Sequence, residues 1–123
     1  MLATSELVAF LSTTDYARAR AFYEGVLGLR LVEETPFAHV YDANGVTVRI
    51  AKTEFTAQPF TVLGWNVTGL DEKMRALVAK GVAFERYGFL EQDALGAWSS
   101  PSGARVSWFK DPDGNLLSMT EWA

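Results

Sequence analysis

The chain contains an internal repeat, and this feature limits the possible folds more than any other. Val8 to Leu11 matches Val62 to Trp65 at an offset of 54 residues. The turn and strand from Asp42 to Ile50 match Asp111 to Met119 at an offset of 69 residues. Two matched segments in the same order indicate a duplicated unit. The two offsets differ by 15 residues, which indicates an insertion in the second half, most simply at residues 88–102.

Both halves have the same predicted order of one strand, one helix and three further strands. The first helix is expected to begin after Asp15, a suitable N-cap, and to end before Gly28. The predicted elements of the first half are a strand at 7–11, a helix at 16–26 and strands at 29–34, 37–41 and 46–51. Those of the second half are a strand at 61–67, a helix at 71–80 and strands at 82–87, 104–109 and 116–121. The chain is therefore predicted to be one α+β domain, 1–123, with repeats at about 5–52 and about 60–123.

The composition excludes several kinds of site and partner. The 123 residues include no cysteine, which removes disulfides, thiolate metal sites and cysteine nucleophiles. The single histidine, His39, is too few for a metal site built on several imidazoles. A net charge of −4 and a pI near 4.9 argue against nucleic-acid binding. No apolar run is long enough to span a membrane, and Met1 to Glu6 contain no basic residue, so we expect a cytoplasmic protein without a signal peptide.

Two motifs, together with the duplicated units, resemble one known family. They are the first helix, Asp15 to Leu29 (DYARARAFYEGVLGL), and the closing segment, Phe109 to Leu116 (FKDPDGNL). In this the chain is similar to the vicinal oxygen chelate superfamily, which includes glyoxalase I, bleomycin-resistance proteins and extradiol dioxygenases. The resemblance covers nearly the whole chain and implies two curved, mixed four-stranded sheets around a concave pocket, each with one helix on its convex side. It also implies a homodimer.

The same resemblance implies where metal-using relatives bind their ion. One ligand comes from the first strand and one from the last strand of each repeat, and the four are usually His, Glu, His or Gln, and Glu. The corresponding positions in this chain are Val8, Arg49, Val62 and Ser118. Valine has no donor atom and a guanidinium has no lone pair to give, so these positions predict no metal. No other cofactor is predicted, and metal-dependent lyase or dioxygenase activity is not expected.

Strand alternation predicts which side chains face the implied pocket. The predicted ligand-binding residues are Phe10, His39, Arg49, Asn66, Trp98, Trp108 and Ser118. The aromatic residues proposed as pocket walls, which can stack on a planar ligand, are Trp98, Trp108, Trp122, Phe10 and Tyr41. Aromatic residues at strand spacing are equally common in cores. Asn66 and Ser118 offer neutral hydrogen bonds to a ligand or to neighbouring backbone groups.

The two hairpin turns decide whether His39 and Trp108 lie on the pocket face. A turn whose glycine is a left-handed bulge residue pairs His39 with Arg49 in the first hairpin. The same turn pairs Trp108 with Ser118 in the second. A two-residue turn reverses this parity. The resemblance favours the bulged register, because extradiol dioxygenases have an active-site residue at the position of Trp108.

Arg49 and His39 each have a functional and a structural interpretation. In an apolar pocket, the Arg49 guanidinium would bind a carboxylate or phosphate through paired hydrogen bonds. The structural interpretations are an extension to the pocket rim or an internal ion pair, for which the candidate partners are Glu33, Glu85 and Glu121. His39 is either a general base near neutral pH or a structural strand residue.

Three functions follow from these interpretations. The first is metal-free binding of a small molecule, aromatic and anionic or zwitterionic, with a role in sequestration or resistance. The second is an enzyme that works without metal, with His39 as base and Arg49 stabilising a developing negative charge. The third is a structural dimer module whose pocket is filled by its own side chains. The predicted partners are a small-molecule ligand and a second copy of the chain, with no nucleic acid and no membrane.

Overall fold

A computed structural model of the protein describes all residues, 1–123. The chain divides into two compact units, Met1–Thr56 and Ala57–Ala123, and the boundary lies within the polar segment that separates the two sequence repeats. Each unit contains one helical region and one mixed four-stranded sheet, so the predicted α+β class and tandem order are confirmed. Neither helical region is long and apolar enough to cross a bilayer.

The first unit begins with a strand and a capped helix, as predicted. The Asp15 carboxylate accepts a hydrogen bond from the backbone N–H of Arg18 at 3.2 Å, and Gly28 adopts the left-handed conformation, with φ of 75°, after the helix. The elements of this unit are β1 (Val8–Thr13), α1 (Tyr16–Arg20) with a π-helical continuation (Ala21–Val26), β2 (Arg30–Glu34), β3 (His39–Ala43) and β4 (Val46–Lys52).

Alternation along the strands gives the first sheet two different faces. Its strands are ordered β1-β4-β3-β2, with β1 parallel to β4 and the other neighbours antiparallel. Leu11, Val48 and Ile50 are buried on one face, and Phe22 and Tyr23 of the helical region are buried as well. We call this the helix face and the opposite side the open face. Burial of these apolar side chains is the main force that holds the helical region on the sheet.

The second unit repeats this arrangement with a shorter edge strand. Its elements are β5 (Thr61–Asn66), α2 (Leu70–Ala79), β6 (Trp98–Ser99), β7 (Arg105–Lys110) and β8 (Leu116–Glu121), and the strand order is β5-β8-β7-β6. Phe109, Leu117 and Met119 are buried on the helix face of this sheet, and Leu70 and Met74 of α2 are fully buried. The two units therefore have equivalent helix faces and open faces.

The predicted strand at 82–87 is wrong, and the third strand of this unit lies instead at Trp98–Ser99, inside the predicted insertion. Trp98 and Ser99 pair with the first half of β7, while Phe84 forms only an isolated bridge to Phe109 near its other end. Both segments share one edge of β7, so neither has room to form a longer strand there. A local β pattern does not reveal such competition for one edge.

The amino end of α2 is capped from a distant strand. Gly69 stands at the N-cap with φ of 65° and has no side chain to accept a hydrogen bond. The carboxylate of Glu121, in β8, replaces it and accepts from the N–H groups of Gly69 at 2.7 Å and Leu70 at 3.3 Å. This contact joins the helix to the last strand of the same unit.

We expect Glu121→Ala to lower the free energy of unfolding by about 1 kcal/mol, because two helix N–H groups lose their acceptor. Glu121→Gln keeps an acceptor oxygen and is expected to retain most of the stability. Urea denaturation of both variants measures the difference. Equal stability of Glu121→Ala and the unsubstituted protein would show that solvent caps the helix equally well.

Candidate functional site

The open face of the first sheet carries Arg49 at its centre. Arg49 pairs across the sheet with Phe10 of β1 on one side and Val40 of β3 on the other, so the three side chains project from the same face. The Phe10 side chain is 69% exposed, whereas Val40 is buried. The predicted orientation of Phe10 and Arg49 therefore agrees with the register, and Arg49 lies among apolar neighbours.

Arg49 is half-buried, and its guanidinium makes no ion pair in the structure. Of its candidate partners, Glu85 pairs with Lys110 at 3.4 Å, and Glu121 caps α2. Glu33 makes no ion pair with Arg49. The predicted internal ion pair is thus wrong, and the guanidinium keeps its five N–H donors for another group.

His39 lies on the opposite face from Arg49, so the predicted pairing of the two is wrong. The first hairpin closes through a two-residue turn, Asn44-Gly45, in which both residues have positive φ, 51° and 89°. This turn pairs His39 with Ile50, and the imidazole stacks on the Tyr16 ring of α1 at a centroid distance of 4.1 Å. His39 is therefore a helix-face residue.

The second hairpin has the bulged turn, so its predicted register is confirmed. Gly114 has φ of 88°, and the Asp111 carboxylate accepts from the backbone N–H groups of Asp113 and Asn115, both at 2.9 Å. Trp108 consequently pairs with Ser118, and both side chains belong to the open face. Asp111 is buried within its own turn, as expected for a structural aspartate.

Four aromatic rings are grouped on the open face of the second sheet, and we call them the aromatic platform. They are Tyr87, Phe89, Trp98 and Trp108. The indoles of Trp98 and Trp108 are tilted by 34° with their centroids 6.2 Å apart. The Tyr87 ring contacts the Trp108 indole edge-on, with a centroid distance of 5.6 Å, and its centroid is also 5.6 Å from that of Phe89. Phe89 is 83% exposed. Burial, and secondly the charge of Glu85, raise the pKa of Tyr87, so its phenol is neutral at pH 7.

Asp93 fixes the loop that brings Trp98 to this platform, and sequence reasoning missed it. One carboxylate oxygen accepts from the N–H groups of Leu95, Gly96 and Ala97 at 2.9–3.0 Å. The other accepts from Arg105 of β7 at 2.9 Å. The sequence signal is the segment Asp93-Ala-Leu-Gly, because an aspartate three residues before a glycine is typical of a side-chain-capped turn. Tyr87 was also missed, since it lies in a segment predicted as an ordinary strand.

Ser118 and Asn66 lie on the same open face but have different neighbours. Ser118 pairs with Gly64, where an added Cβ would meet the Ser118 hydroxyl oxygen at 2.6 Å. Glycine is therefore required for the hydroxyl to occupy this position. The Asn66 amide oxygen accepts a hydrogen bond from the indole of Trp122 at 2.8 Å, which leaves its NH2 group as a donor. Tyr41, predicted as a pocket wall, is instead fully buried on the helix face of the first unit.

The side chains at the predicted metal positions do not suit a metal ion. Val8 and Val62 have no donor atoms, Arg49 is a cation, and Ser118 supplies one neutral hydroxyl. The structure contains no group of three or more His, Asp or Glu side chains that could hold an ion.

Comparison with solved structures identifies proteins of the same fold. TnmS3, an antibiotic binding protein from Streptomyces sp. CB03234, matches with a TM-score of 0.78 and 18% identity over 100% of this chain and 99% of that chain. A member of the glyoxalase/bleomycin resistance protein/dioxygenase superfamily from Sphaerobacter thermophilus matches with a TM-score of 0.77 and 22% identity, over 98% of this chain and 99% of that chain. Lactoylglutathione lyase from Agrobacterium tumefaciens matches with a TM-score of 0.72 and 18% identity, over 96% of this chain and 93% of that chain. A search of curated protein sequences finds no significant match.

At these identities the structural likeness shows the fold alone, but the sequence also matches a family model directly. That model describes the glyoxalase/bleomycin resistance protein/dioxygenase superfamily and matches residues 7–119, which cover most of both repeats. The duplicated units and the two motifs led to the same family. The chain belongs to the glyoxalase/bleomycin resistance protein/dioxygenase superfamily.

Proposed function

We propose that this protein binds a small planar aromatic molecule, without a metal, on the open face of its second sheet. The aromatic platform is the observation that carries this proposal. Trp98 and Trp108 are held by strand pairing and Tyr87 by a hydrogen bond from its backbone N–H to Gln92. Phe89 is exposed, and the two indoles are only partly buried. Rigid, partly exposed aromatic side chains bind flat ligands with little loss of conformational entropy. Ser118 and the Asn66 NH2 group add neutral polar contacts on the same face.

Arg49 supports a second part of the proposal, the binding of an anionic group at the first sheet. A half-buried guanidinium with no counter-charge, next to Phe10 and Val40, favours a carboxylate that it can hold through two hydrogen bonds. Because the exposed Phe10 ring lies beside Arg49 on this sheet, the ligand class proposed for the first sheet is aromatic and anionic or zwitterionic. Sequestration of such a compound is the proposed role, and it is supported by the fold shared with an antibiotic binding protein.

We expect Arg49→Ala to weaken the binding of aromatic carboxylates about tenfold, because a charge-assisted hydrogen-bond pair is lost. Benzoate and its uncharged analogue benzamide are the matched probes, and calorimetry measures both affinities. Benzamide binding should change little in the variant. The anion-receptor proposal fails if benzoate binds the variant as tightly as it binds the unsubstituted protein. Lys52→Ala, which removes an exposed cation from the same strand, is the control.

Binding is favoured over the alternative of a metal-free enzyme. That alternative needs His39 and Arg49 to act on one substrate, whereas the register puts them on opposite faces of the sheet. A thermal-shift screen of small aromatic compounds, followed by product analysis of each hit, separates the two functions. Turnover of any hit that requires Arg49 would favour catalysis. The remaining alternative, a structural module with a filled pocket, is disfavoured by the exposure of Phe10 and Phe89.

We also propose that the chain forms a homodimer in the cytoplasm. Large apolar side chains in several segments that flank the strands are exposed, among them Leu7, Phe37 and Phe60, at 75%, 82% and 59%. Exposed apolar surface of this extent is typical of protein interfaces. Size-exclusion chromatography with light scattering at micromolar concentration is expected to give about twice 13.6 kDa. A mass equal to one chain would contradict the dimer, and cell fractionation tests the location.

A further inference from the structure

A groove of about 640 Å³ lies on the first unit between α1 and the connection from β2 to β3. It is formed on the helix face, the opposite side of the sheet from Arg49, and plays no part in the proposed function. Tyr16, Ala17 and Arg20 line one wall, and Glu34 and Pro36 line the other. A volume of this size is typical of small-molecule sites.

The groove is held open by contacts at both ends. At one end the Tyr16 hydroxyl donates to the Pro36 carbonyl at 3.4 Å and accepts from the backbone N–H of Lys52 at 3.1 Å. At the other end Arg20 contacts Glu34 at 3.4 Å. Between them lies the flat imidazole of His39, stacked on Tyr16 with an interplanar angle of 15°. The hydrogen bond to Pro36 and the Arg20–Glu34 ion pair therefore join the two walls of the groove.

His39 is buried but lacks hydrogen-bond partners. Its side chain is 7% exposed, its Nδ1 is buried without a partner, and its Nε2 lies 3.6 Å from Glu34 Oε1, beyond hydrogen-bond distance. We assign the ring proton of His39 to Nε2, because an N–H at the buried Nδ1 would have no acceptor, whereas a bare acceptor there is more readily tolerated. The groove therefore presents an N–H donor beside a carboxylate acceptor, 3.6 Å apart, and both have unused capacity.

We propose that this groove binds a neutral, flat heterocycle that carries an N–H group next to a C=O group, as in a cyclic amide. In such a ring the two groups lie side by side and point in nearly the same direction. The C=O would accept from His39 Nε2–H while the N–H donates to Glu34 Oε1, and the separation of these two protein atoms suits parallel hydrogen bonds. The ring would lie against the apolar surfaces of Ala17 and Pro36.

The charges around the groove favour a neutral ligand over an ion. Arg20 is shared between Glu24, at 2.8 Å, and Glu34, at 3.4 Å. An anion would meet the Glu34 carboxylate, and a cation at Glu34 would meet the Arg20 guanidinium. A neutral donor–acceptor pair avoids both repulsions and leaves the Arg20 contacts intact.

The test is a titration of 2-pyridone into the full-length protein, followed by amide chemical shifts in nitrogen-labelled samples. We expect shifts centred on Ala17, Ala38 and His39. N-Methyl-2-pyridone, which lacks the N–H donor, should bind about tenfold more weakly, because one hydrogen bond to a carboxylate is lost. Equal binding of the two pyridones, or shifts confined to other parts of the chain, would overturn the proposal.

Two variants and one control locate the contacts. Glu34→Ala removes the acceptor from an exposed position, and His39→Phe removes the donor but keeps a ring to stack on Tyr16. Each should weaken 2-pyridone binding about tenfold. Glu33→Ala removes the same charge from the neighbouring residue, which pairs with Val40 on the open face, and should leave binding unchanged. An equal loss in Glu33→Ala would mean that net charge, not the donor–acceptor pair, controls binding. If His39→Phe does not fold, Glu34→Ala and the two pyridones decide the question.

Discussion

Replacing Trp108 by alanine is expected to weaken the binding of a neutral planar aromatic compound by roughly 10- to 100-fold, because the central ring of the aromatic platform is lost. The centroid of the Trp108 indole lies 6.2 Å from that of Trp98 and 5.6 Å from that of Tyr87, so its removal also takes a packing partner from two neighbouring rings. 2-Naphthol is a suitable probe, and calorimetry or ligand-detected NMR measures the affinity. Trp108→Phe keeps a smaller ring in the same register and should show an intermediate loss.

Trp65 provides the matched control for this experiment. It lies in β5 of the same sheet but pairs with Met119, which is buried on the helix face. Trp65→Phe should therefore leave the affinity for 2-naphthol unchanged. If Trp108→Ala remains folded and binds 2-naphthol with undiminished affinity, the aromatic platform is not the ligand site and the proposed function is wrong.

Replacing Asp93 by alanine is expected to destabilise the protein by about 2 kcal/mol and to weaken aromatic binding as well. Three backbone N–H groups and Arg105 lose their acceptor, so the loop no longer holds Trp98 against β7. The melting temperature should fall by roughly 5 to 10 °C. Ser102→Ala, which alters an exposed serine in the neighbouring turn, is the control. Unchanged stability of Asp93→Ala would show that strand pairing alone holds Trp98.

The Asp93 carboxylate also makes part of the protein's stability depend on pH. Burial by itself would raise the pKa of Asp93, but hydrogen bonds from Ala97, Arg105 and the other loop amides outweigh it, so the pKa lies below its ordinary value of 3.8. Because the folded state has the lower pKa, this contribution is complete above the unfolded pKa and is lost as the pH falls below 3.8. Asp93→Asn should therefore show a smaller loss of stability between pH 7 and pH 3 than the unsubstituted protein, measured by urea denaturation.

The two hairpins show how much of the strand register is determined by the local sequence. Both turns have the pattern Asp-x-x-Gly, and a shared pattern led to one predicted register for both. The first turn contains Asn44-Gly45, the pair best suited to two consecutive left-handed residues, and it closes with two residues. The second contains Pro112, whose fixed negative φ suits a type I turn followed by a bulge at Gly114. This difference of one residue is why Trp108 is on an open face and His39 is not.

The sequence by itself determined the repeat, which is visible as two matched segments. It also determined the helix after Asp15 and the alternation that places Val8, Arg49 and Ser118 on open faces, because these depend on the spacing of residues within one segment. Only the tertiary structure decided that His39 stacks on Tyr16, since a cross-strand register is set by the partner strand as well as by the turn. The tertiary structure also decided that β6 lies in the insertion and that Arg49 has no counter-charge. Competition for a strand edge or for an ion-pair partner involves residues far apart in the chain, and local patterns carry no record of it.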